Sequence, residues 1–374
     1  MSDHKIEKIR VHRICIPARA IHSHGSGDVA GINVAIVEIT TDSGITGWGE
    51  ASPWPVFTGT SEGCAAALHV HLRPHLIGQD PVQVEKHMSM TDKVIVGHPE
   101  AKAALEMALL DITGQICGLS VCELVGGKMR DDMGMSFSIA NPDFEADLND
   151  IAAMWEDGVR IFKFKTGFAG HKFDLMRLEK MREIYGDKAD IRIDYNQGLL
   201  AYDAVRCIRD LEAFRPTFVE QPVKMHEREA LAHITQVIDT PIMADESVFD
   251  PKGALYGANI RIADIFSLKI MKSGGIRRAL EVAAIARAAG IEVYGGCMFE
   301  TGLAHAAGAH LMAAVPDLVL QCEFYMATYY AQDDILTDAF PVRNGRVIVP
   351  HGPGLGVKVD PDKLARYAVA EPLS

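Results

Sequence analysis

The chain has no CxxC pair, and its seven cysteines are scattered and odd in number. That pattern excludes a paired disulfide framework and a zinc finger, and it predicts reduced thiols in a cytoplasmic protein. Nor is there the run of roughly 18 uninterrupted apolar residues that a membrane span needs. The opening MSDHKIEKIRVHRICIPARA alternates charged and apolar residues, so it is not read as a signal peptide. Basic residues are also short: 37 Lys and Arg stand against 50 Asp and Glu, a formal net charge of −13, with no long basic run. Phosphate backbones need clustered Lys and Arg, so no nucleic-acid partner is expected, and no membrane partner either.

What is present is a long chain of ordinary globular composition, 374 residues with 48% apolar and 23% charged. A single core stops growing at roughly 250 to 300 residues, so two structural regions are expected. Apolar residues alternate over 6–16 and 33–40, and Thr41-Asp42-Ser43-Gly44 punctuates the second run before 45–50, which predicts a small antiparallel sheet with a hairpin. Residues 18–31 between the first two strands carry His22, His24 and three glycines, and Pro53-Trp54-Pro55-Val56-Phe57 follows Glu50. Both read as mobile loops of a lid. Helical periodicity covers 61–76, 81–93 and 99–118. An α+β capping domain over 1–130 is the result.

The next segment is periodic. Eight strand-like runs, at 133–140, 161–165, 191–196, 218–222, 242–247, 265–270, 291–297 and 318–324, alternate with amphipathic helical stretches such as 276–289. A strand, a loop and a returning helix make one unit of a parallel barrel, so 131–330 is read as a (β/α)8-type barrel of α/β class. Residues 331–374 show no further period and are expected to return to the capping domain.

Active sites of such barrels lie at the C-terminal ends of the strands. Six of the runs reach a residue that can do chemistry there: Lys163 and Lys165, then Asp194, Glu220, Asp245, Lys269 and Glu300. Glu220 follows Asp194 by 26 residues, Asp245 follows Glu220 by 25, and Lys269 follows Asp245 by 24, the spacing of one repeating unit. Three carboxylates on adjacent strands cannot converge without a cation to neutralise them, and an all-oxygen set suits Mg²⁺, one per chain. A carboxylate at a strand end, taken alone, is an ordinary loop cap; the shared position makes the set.

Lys163 and Lys165 are two apart and so share a strand face, while Lys269 lies across the acids from them. Burial and a nearby cation both disfavour an ammonium, so these lysines are expected to be lowered toward general-base range. A carboxylate substrate on the cation has its α-proton acidified, because proton loss puts charge on oxygens already neutralised. One lysine removes that proton and the other returns it on the far face or serves a leaving group. Proton transfer, β-elimination and cycloisomerisation all remain open.

At Lys163-Phe-Lys165, Asp194-Tyr-Asn196, Glu220-Gln-Pro222, Asp245-Glu246, Lys269 and Gly295-Gly-Cys-Met-Phe-Glu300, the sequence resembles the muconate-lactonizing subgroup of the enolase superfamily. The resemblance extends to Leu76-Ile-Gly-Gln-Asp-Pro81 and Glu123-Leu-Val-Gly-Gly127 and implies an enolase-like capped barrel, Mg²⁺, and a homo-oligomer. Within the subgroup the chain looks like the cis-3-hydroxy-L-proline dehydratases, a hydro-lyase activity giving Δ1-pyrroline-2-carboxylate with possible 2-epimerisation. That implies Glu300, Trp54, Phe57, His24 and Asn196 as residues facing a small amino carboxylate. Muconate-type cycloisomerases and amino-acid or dipeptide epimerases are the alternatives, although the Asp-x-Asp of the latter reads Glu323-Phe-Tyr here. A barrel kept only for binding is a third class, and it has no need of paired bases. Cys297 is not expected to be a nucleophile because the strand pattern sets no histidine beside it. Lys272-Ser-Gly-Gly275 and Gly354-Leu-Gly356 lack the spacing of a phosphate loop.

Overall fold

A computed structural model describes residues 4–373. Strands β1 (Ile6–His24), β2 (Gly27–Thr41) and β3 (Thr46–Ala51) form an antiparallel meander with β2 in the middle. Both faces of β2 are covered from Val34 to Ile39, so even Glu38 within that run is buried. The helix Pro99–Cys117 packs on β3. Gly47 and Gly49 permit this contact, since a Cβ on either would collide with the carbonyl of Ala108 or Ala104. The helix starts with Pro99 in its first turn and stops at Gly118, whose φ of 69° suits a residue without a side chain.

The segment 18–31 differs from the mobile loop expected there. It continues the hairpin, with His22 opposite Val29, Ser23 opposite Asp28 and His24 opposite Gly27, turning at Gly25 and Ser26. Ser23 Oγ donates to Asp28 Oδ1 at 2.7 Å across this tip. Glycine content suggested looseness, but ladder pairing extends to the last residue of the strand.

After β4 (Asp132–Gly134), the strands β5 (Ser136–Ile139), β6 (Ile161–Lys165), β7 (Asp190–Asp194), β8 (Val219–Glu220), β9 (Ile242–Ala244), β10 (Ile265–Leu268) and β11 (Glu292–Gly295) lie side by side in sequence order. Every pair among them is parallel. The expected eighth strand at 318–324 is reduced to a closing segment. Cys322 bridges both Met135 and Gly295, and Gly295 N–H donates to Gln321 O at 3.0 Å, so the curled sheet is joined through single bridges instead of a ladder. Outer helices follow the pattern of Ala201–Glu212, which buries Ala204, Cys207, Ile208 and Leu211 at the i, i+3, i+4, i+7 positions of one stripe.

β12 (Val342–Arg343) pairs with β13 (Arg346–Ile348), which pairs with β4, and farther on Ala368 and Leu373 bridge Ile14 and Val11 of β1. The C-terminal segment thus touches both the start of the barrel and the N-terminal sheet. Among the described residues, no helix is long and apolar enough to cross a membrane.

Candidate active site

Parallel register sets the acids side by side. Asp194 is the partner of Glu220 across β7 and β8, and of Lys165 across β6 and β7, while Asp245 lies one residue past β9. All three carboxylates are buried. The chain leaves these strand ends through non-glycine residues with positive φ: Asn196 at 42°, Gln197 at 67° and Gln221 at 34°. Such conformations persist only where surrounding contacts hold them. Here Asn196 N–H donates to Asp194 Oδ1 at 2.8 Å, and Gln221 Oε1 accepts the N–H groups of Asp245 (3.0 Å) and Ser247 (3.1 Å). Gln221 Nε2 donates to Ser247 Oγ and the Val223 carbonyl, so one buried amide ties the end of β8 to the end of β9.

Burial would raise Asp194 and Asp245, but cations outweigh it. Lys165 and Lys163 hold Asp194 below the usual carboxylate range, and Lys269 and Lys272 hold Asp245 well below it. Glu220 goes the other way, pushed up by burial and by the Asp194 charge. Its Oε1 has no hydrogen-bond partner, nor has either oxygen of the adjacent buried Glu246, whose carboxyl is raised to about 7, first by burial and then by Asp245. Orphaned carboxylate oxygens in a buried group of acids cost free energy unless a cation completes them. Asp194, Glu220 and Asp245 therefore fit a hard divalent ion such as Mg²⁺, which takes oxygen ligands. Such an ion supplies positive charge for the oxygens of a substrate carboxylate.

The three lysines stand around these acids. Lys165 Nζ lies 2.6 Å from Asp194 Oδ2 on one side, and Lys269 Nζ lies 2.6 Å from Asp245 Oδ2 on the other. Lys163 is fully enclosed, 2.8 Å from Glu220 Oε2 and also bonded to Glu323. The expectation that these lysines are lowered is corrected for two of them. Burial does oppose the ammonium, yet Glu220 and Glu323 lift Lys163, and Asp245 and Glu220 lift Lys269, because the acids sit in direct contact. A cation taking up those carboxylates would weaken this opposing pull.

The cap closes over this group with aromatic surfaces. The β1–β2 hairpin tip reaches the end of β7, where Ser26 Oγ donates to the Asn196 carbonyl at 2.7 Å. His24 meets Trp54 edge-on at 4.3 Å between ring centroids, and Phe299 lies 5.8 Å from Trp54. His22 is edge-on to Phe299 and Tyr330. Lys269 Nζ lies 5.6 Å from the centre of the Phe57 ring. Burial and then Lys165 push His24 down to about 3, and His22 is lowered by the same two causes. Asn196 Oδ1 is buried without a partner. Glu300 is enclosed, accepts Met298 N–H at 2.9 Å, and is raised by burial to about 8.

Several residues of this site escaped sequence reasoning. Lys272 belongs to neither a surface loop nor a phosphate cradle: it donates to Asp245 Oδ1 at 2.8 Å and to the Asp245 carbonyl at 2.7 Å. Glu323, on the closing segment, takes Lys163 and accepts the Cys297 N–H at 3.1 Å. Glu50, at the end of β3, accepts Thr301 N–H at 3.0 Å and the Thr301 hydroxyl, anchoring the loop after β11 to the cap. The only sequence signal for these was a charged residue inside an apolar run. The reading of Cys297 also needs correction, since His305 does come near: ligand atoms of Cys297, Glu300 and His305 lie within 4.8 Å of one another. A helix turn after β11, invisible to strand spacing, brings it there. Burial still pushes the Cys297 thiol well up, which keeps it protonated and a poor nucleophile.

The comparisons agree with this architecture. Residues 147–363 match the family described as Enolase C-terminal domain-like, and residues 10–126 match the Mandelate racemase / muconate lactonizing enzyme N-terminal domain. The L-Ala-D/L-Glu epimerase of Bacillus subtilis (strain 168) is 34% identical over 94% of this chain and 96% of its own. A chloromuconate cycloisomerase of Pseudomonas putida is 33% identical over 98% of this chain and 100% of its own. The crystal structure of a muconate cycloisomerase from Azorhizobium caulinodans superposes with a TM-score of 0.86 at 43% identity, covering 99% of both chains. With an enolase-like capped barrel, both domain families and relatives matched almost end to end, the chain belongs to the enolase superfamily, in its mandelate racemase and muconate lactonizing branch.

Proposed function

We propose that the protein enolises a small carboxylate, with Lys165 and Lys269 moving protons on opposite faces of its α-carbon. The observation that carries this is the pair of lysines held at 2.6 Å from the two outer acids, one on each side of the Asp194–Glu220–Asp245 row. Lys165 takes the α-proton from one face. Lys269 delivers a proton from the other, giving inversion, or protonates a departing group. Lys163 and Lys272, both enclosed and paired with acids, balance charge and hold the ligands in place. The aromatic cap keeps water from the reacting carbon.

The epimerase and the cycloisomerases among the relatives support isomerisation as the reaction class. A second reading, dehydration of cis-3-hydroxy-L-proline, is favoured by the compact aromatic wall of Trp54, Phe57, Phe299 and Tyr330, suited to a ring with a secondary ammonium. In that substrate the α-proton and the 3-hydroxyl lie on opposite ring faces, as two opposed lysines require. Incubation in D₂O with Mg²⁺ separates the readings. α-Deuterium in recovered L-Ala-L-Glu supports epimerisation, lactone from cis,cis-muconate supports cycloisomerisation, and loss of water from cis-3-hydroxy-L-proline supports the second reading. If Lys165→Ala and Lys269→Ala each left the turned-over substrate reacting at the original rate, two-base enolisation would be wrong.

A further inference from the structure

Beside the acid row, the turn from β11 into the helix Gly302–Ala314 gathers a different kind of donor set. Cys297 and Glu300 lie on the loop after β11, and His305 lies in the first turn of the helix. Their ligand atoms are within 4.8 Å of one another, and all three residues are buried. Thr301 caps the helix by accepting Leu303 N–H at 3.2 Å, and Glu50 holds Thr301 from the cap. The turn that brings His305 back toward Cys297 is thereby pinned.

His305 is the informative member. It is fully enclosed, and among the described residues neither ring nitrogen has a hydrogen-bond partner. Phe324 and Phe340 flank the ring, with centroids 5.7 and 5.3 Å away, and neither offers it an acceptor. Burial lowers the imidazole to about 3, so it is neutral and carries a lone pair on one nitrogen. A buried polar ring left without partners forfeits its hydrogen bonds to water, and a hydrocarbon side chain would fill the same wall at less cost. The lone pair can instead be spent on a cation shared with the neighbouring thiol and carboxylate. Those two are also oriented: Met298 N–H donates to Glu300 Oε1 at 2.9 Å, and the Cys297 thiol donates to the Glu323 carbonyl at 3.3 Å.

Sulfur, nitrogen and oxygen together discriminate among ions. Mg²⁺ takes oxygen ligands and dehydrates reluctantly, so it suits the Asp194, Glu220 and Asp245 row instead. A thiolate, an imidazole and a carboxylate suit a borderline ion such as Zn²⁺ or Co²⁺ in tetrahedral coordination, with water as the fourth ligand. Charge closes as well, because one thiolate and one carboxylate neutralise a divalent ion where net charge is costly to bury.

We propose that Cys297, Glu300 and His305 form a metal site of their own, distinct from the acid row, that takes a divalent transition-metal ion of the Zn²⁺ class. On binding, the S–H bond of Cys297 and the O–H bond of protonated Glu300 break and both protons leave to water. Bonds from the ion to Sγ, the carboxylate and the imidazole form, with no change of oxidation state. Cys297 is 6% exposed and Glu300 4%, against 0% for His305, so the ion enters from their side. This site needs no part of the enolisation reading.

Co²⁺ is the probe, added to the full-length chain with its thiols reduced and Mg²⁺ in excess. Mg²⁺ blocks the all-oxygen row, and a thiolate ligand gives Co²⁺ a near-ultraviolet sulfur-to-metal charge-transfer band that oxygen ligands do not. One such Co²⁺ per chain is expected, and Zn²⁺ should bleach the band by displacement. Cys297→Ser should abolish the band. His305→Phe, which keeps the apolar wall filled, should weaken Co²⁺ binding by about tenfold or more, since even groups that merely orient a ligand are worth that much. Should Cys297→Ser fail to fold, His305→Phe and Glu300→Gln decide through Co²⁺ affinity. No band, a band that survives in Cys297→Ser, bleaching by further Mg²⁺, or unchanged affinity in His305→Phe overturns the proposal.

Discussion

Lys269 Nζ lies 2.6 Å from Asp245 Oδ2, and the other oxygen of that carboxylate is taken by Lys272. One acid therefore stands between two buried cations, only one of which borders the aromatic cap. Lys269 faces Phe57, while Lys272 is turned into the wall and bonded twice to Asp245. Under the proposed enolisation, two lysines three residues apart divide a chemical role from a supporting one.

Loss of the supporting cation should be felt through the metal. Lys272→Met leaves Asp245 with one ammonium fewer and removes two bonds that orient it. Mg²⁺ affinity, read by calorimetry, should fall on the order of 10–100-fold, as for other groups that orient a ligand.

Metal binding should also stabilise the fold. A ligand at about 100 times its Kd adds roughly 2.7 kcal/mol. Melting temperature should rise on adding Mg²⁺ and fall back with chelator. In Glu220→Gln the rise should largely vanish, and an undiminished rise would show that the ion binds elsewhere.

Gln221 makes four hydrogen bonds from one side chain, three of them to the end of β9. Gln221→Ala strands the buried N–H groups of Asp245 and Ser247, which should cost about 1–3 kcal/mol for each group left unsatisfied. Denaturant unfolding measures the loss. Gln221→Glu, which keeps the acceptor but adds a charge beside Asp245, should fare no better.

The buried carboxyls contribute stability that is lost as pH rises from 5 to 8, opposite in sign to buried histidines such as His24 and His305, whose burial lowers them to about 3. Burial lifts Asp147 to about 7, against the single Asn141 N–H shared by its two oxygens, and burial lifts Glu100 and Glu106 to about 7 as well. A carboxyl raised in the folded state favours the protonated form. Its contribution is complete below the unfolded value of roughly 4 and is lost as pH climbs through about 7. Asp147→Asn removes one such group, so its melting temperature relative to the parent's should be higher at pH 8 than at pH 5, by ~1–2 °C.

Much of this was legible along the chain because a parallel barrel repeats. A strand, loop and helix of nearly constant length put Asp194, Glu220, Asp245 and Lys269 at one interval, so periodicity carried the acids and the outer lysine. The same logic misled at 318–324, where apolar residues suggested an eighth strand but only Cys322 bridges both neighbours. It misled again at 18–31, where glycines suggested a loose lid, while the hairpin ladder resumes at His22 after a register shift and runs to the tip.

Local pattern by itself determined the alternation of strands and helices, the shared face of Lys163 and Lys165, and the acids at the strand ends, because these follow from backbone geometry over short spans. Only the tertiary structure decided which charges meet. Glu323 reaches Lys163 from 160 residues away in sequence, Glu50 holds Thr301 across the cap boundary, and His24 comes to rest beside Trp54. Those contacts depend on how the curled sheet closes and where the hairpin lands on it, and no periodicity in the sequence records either.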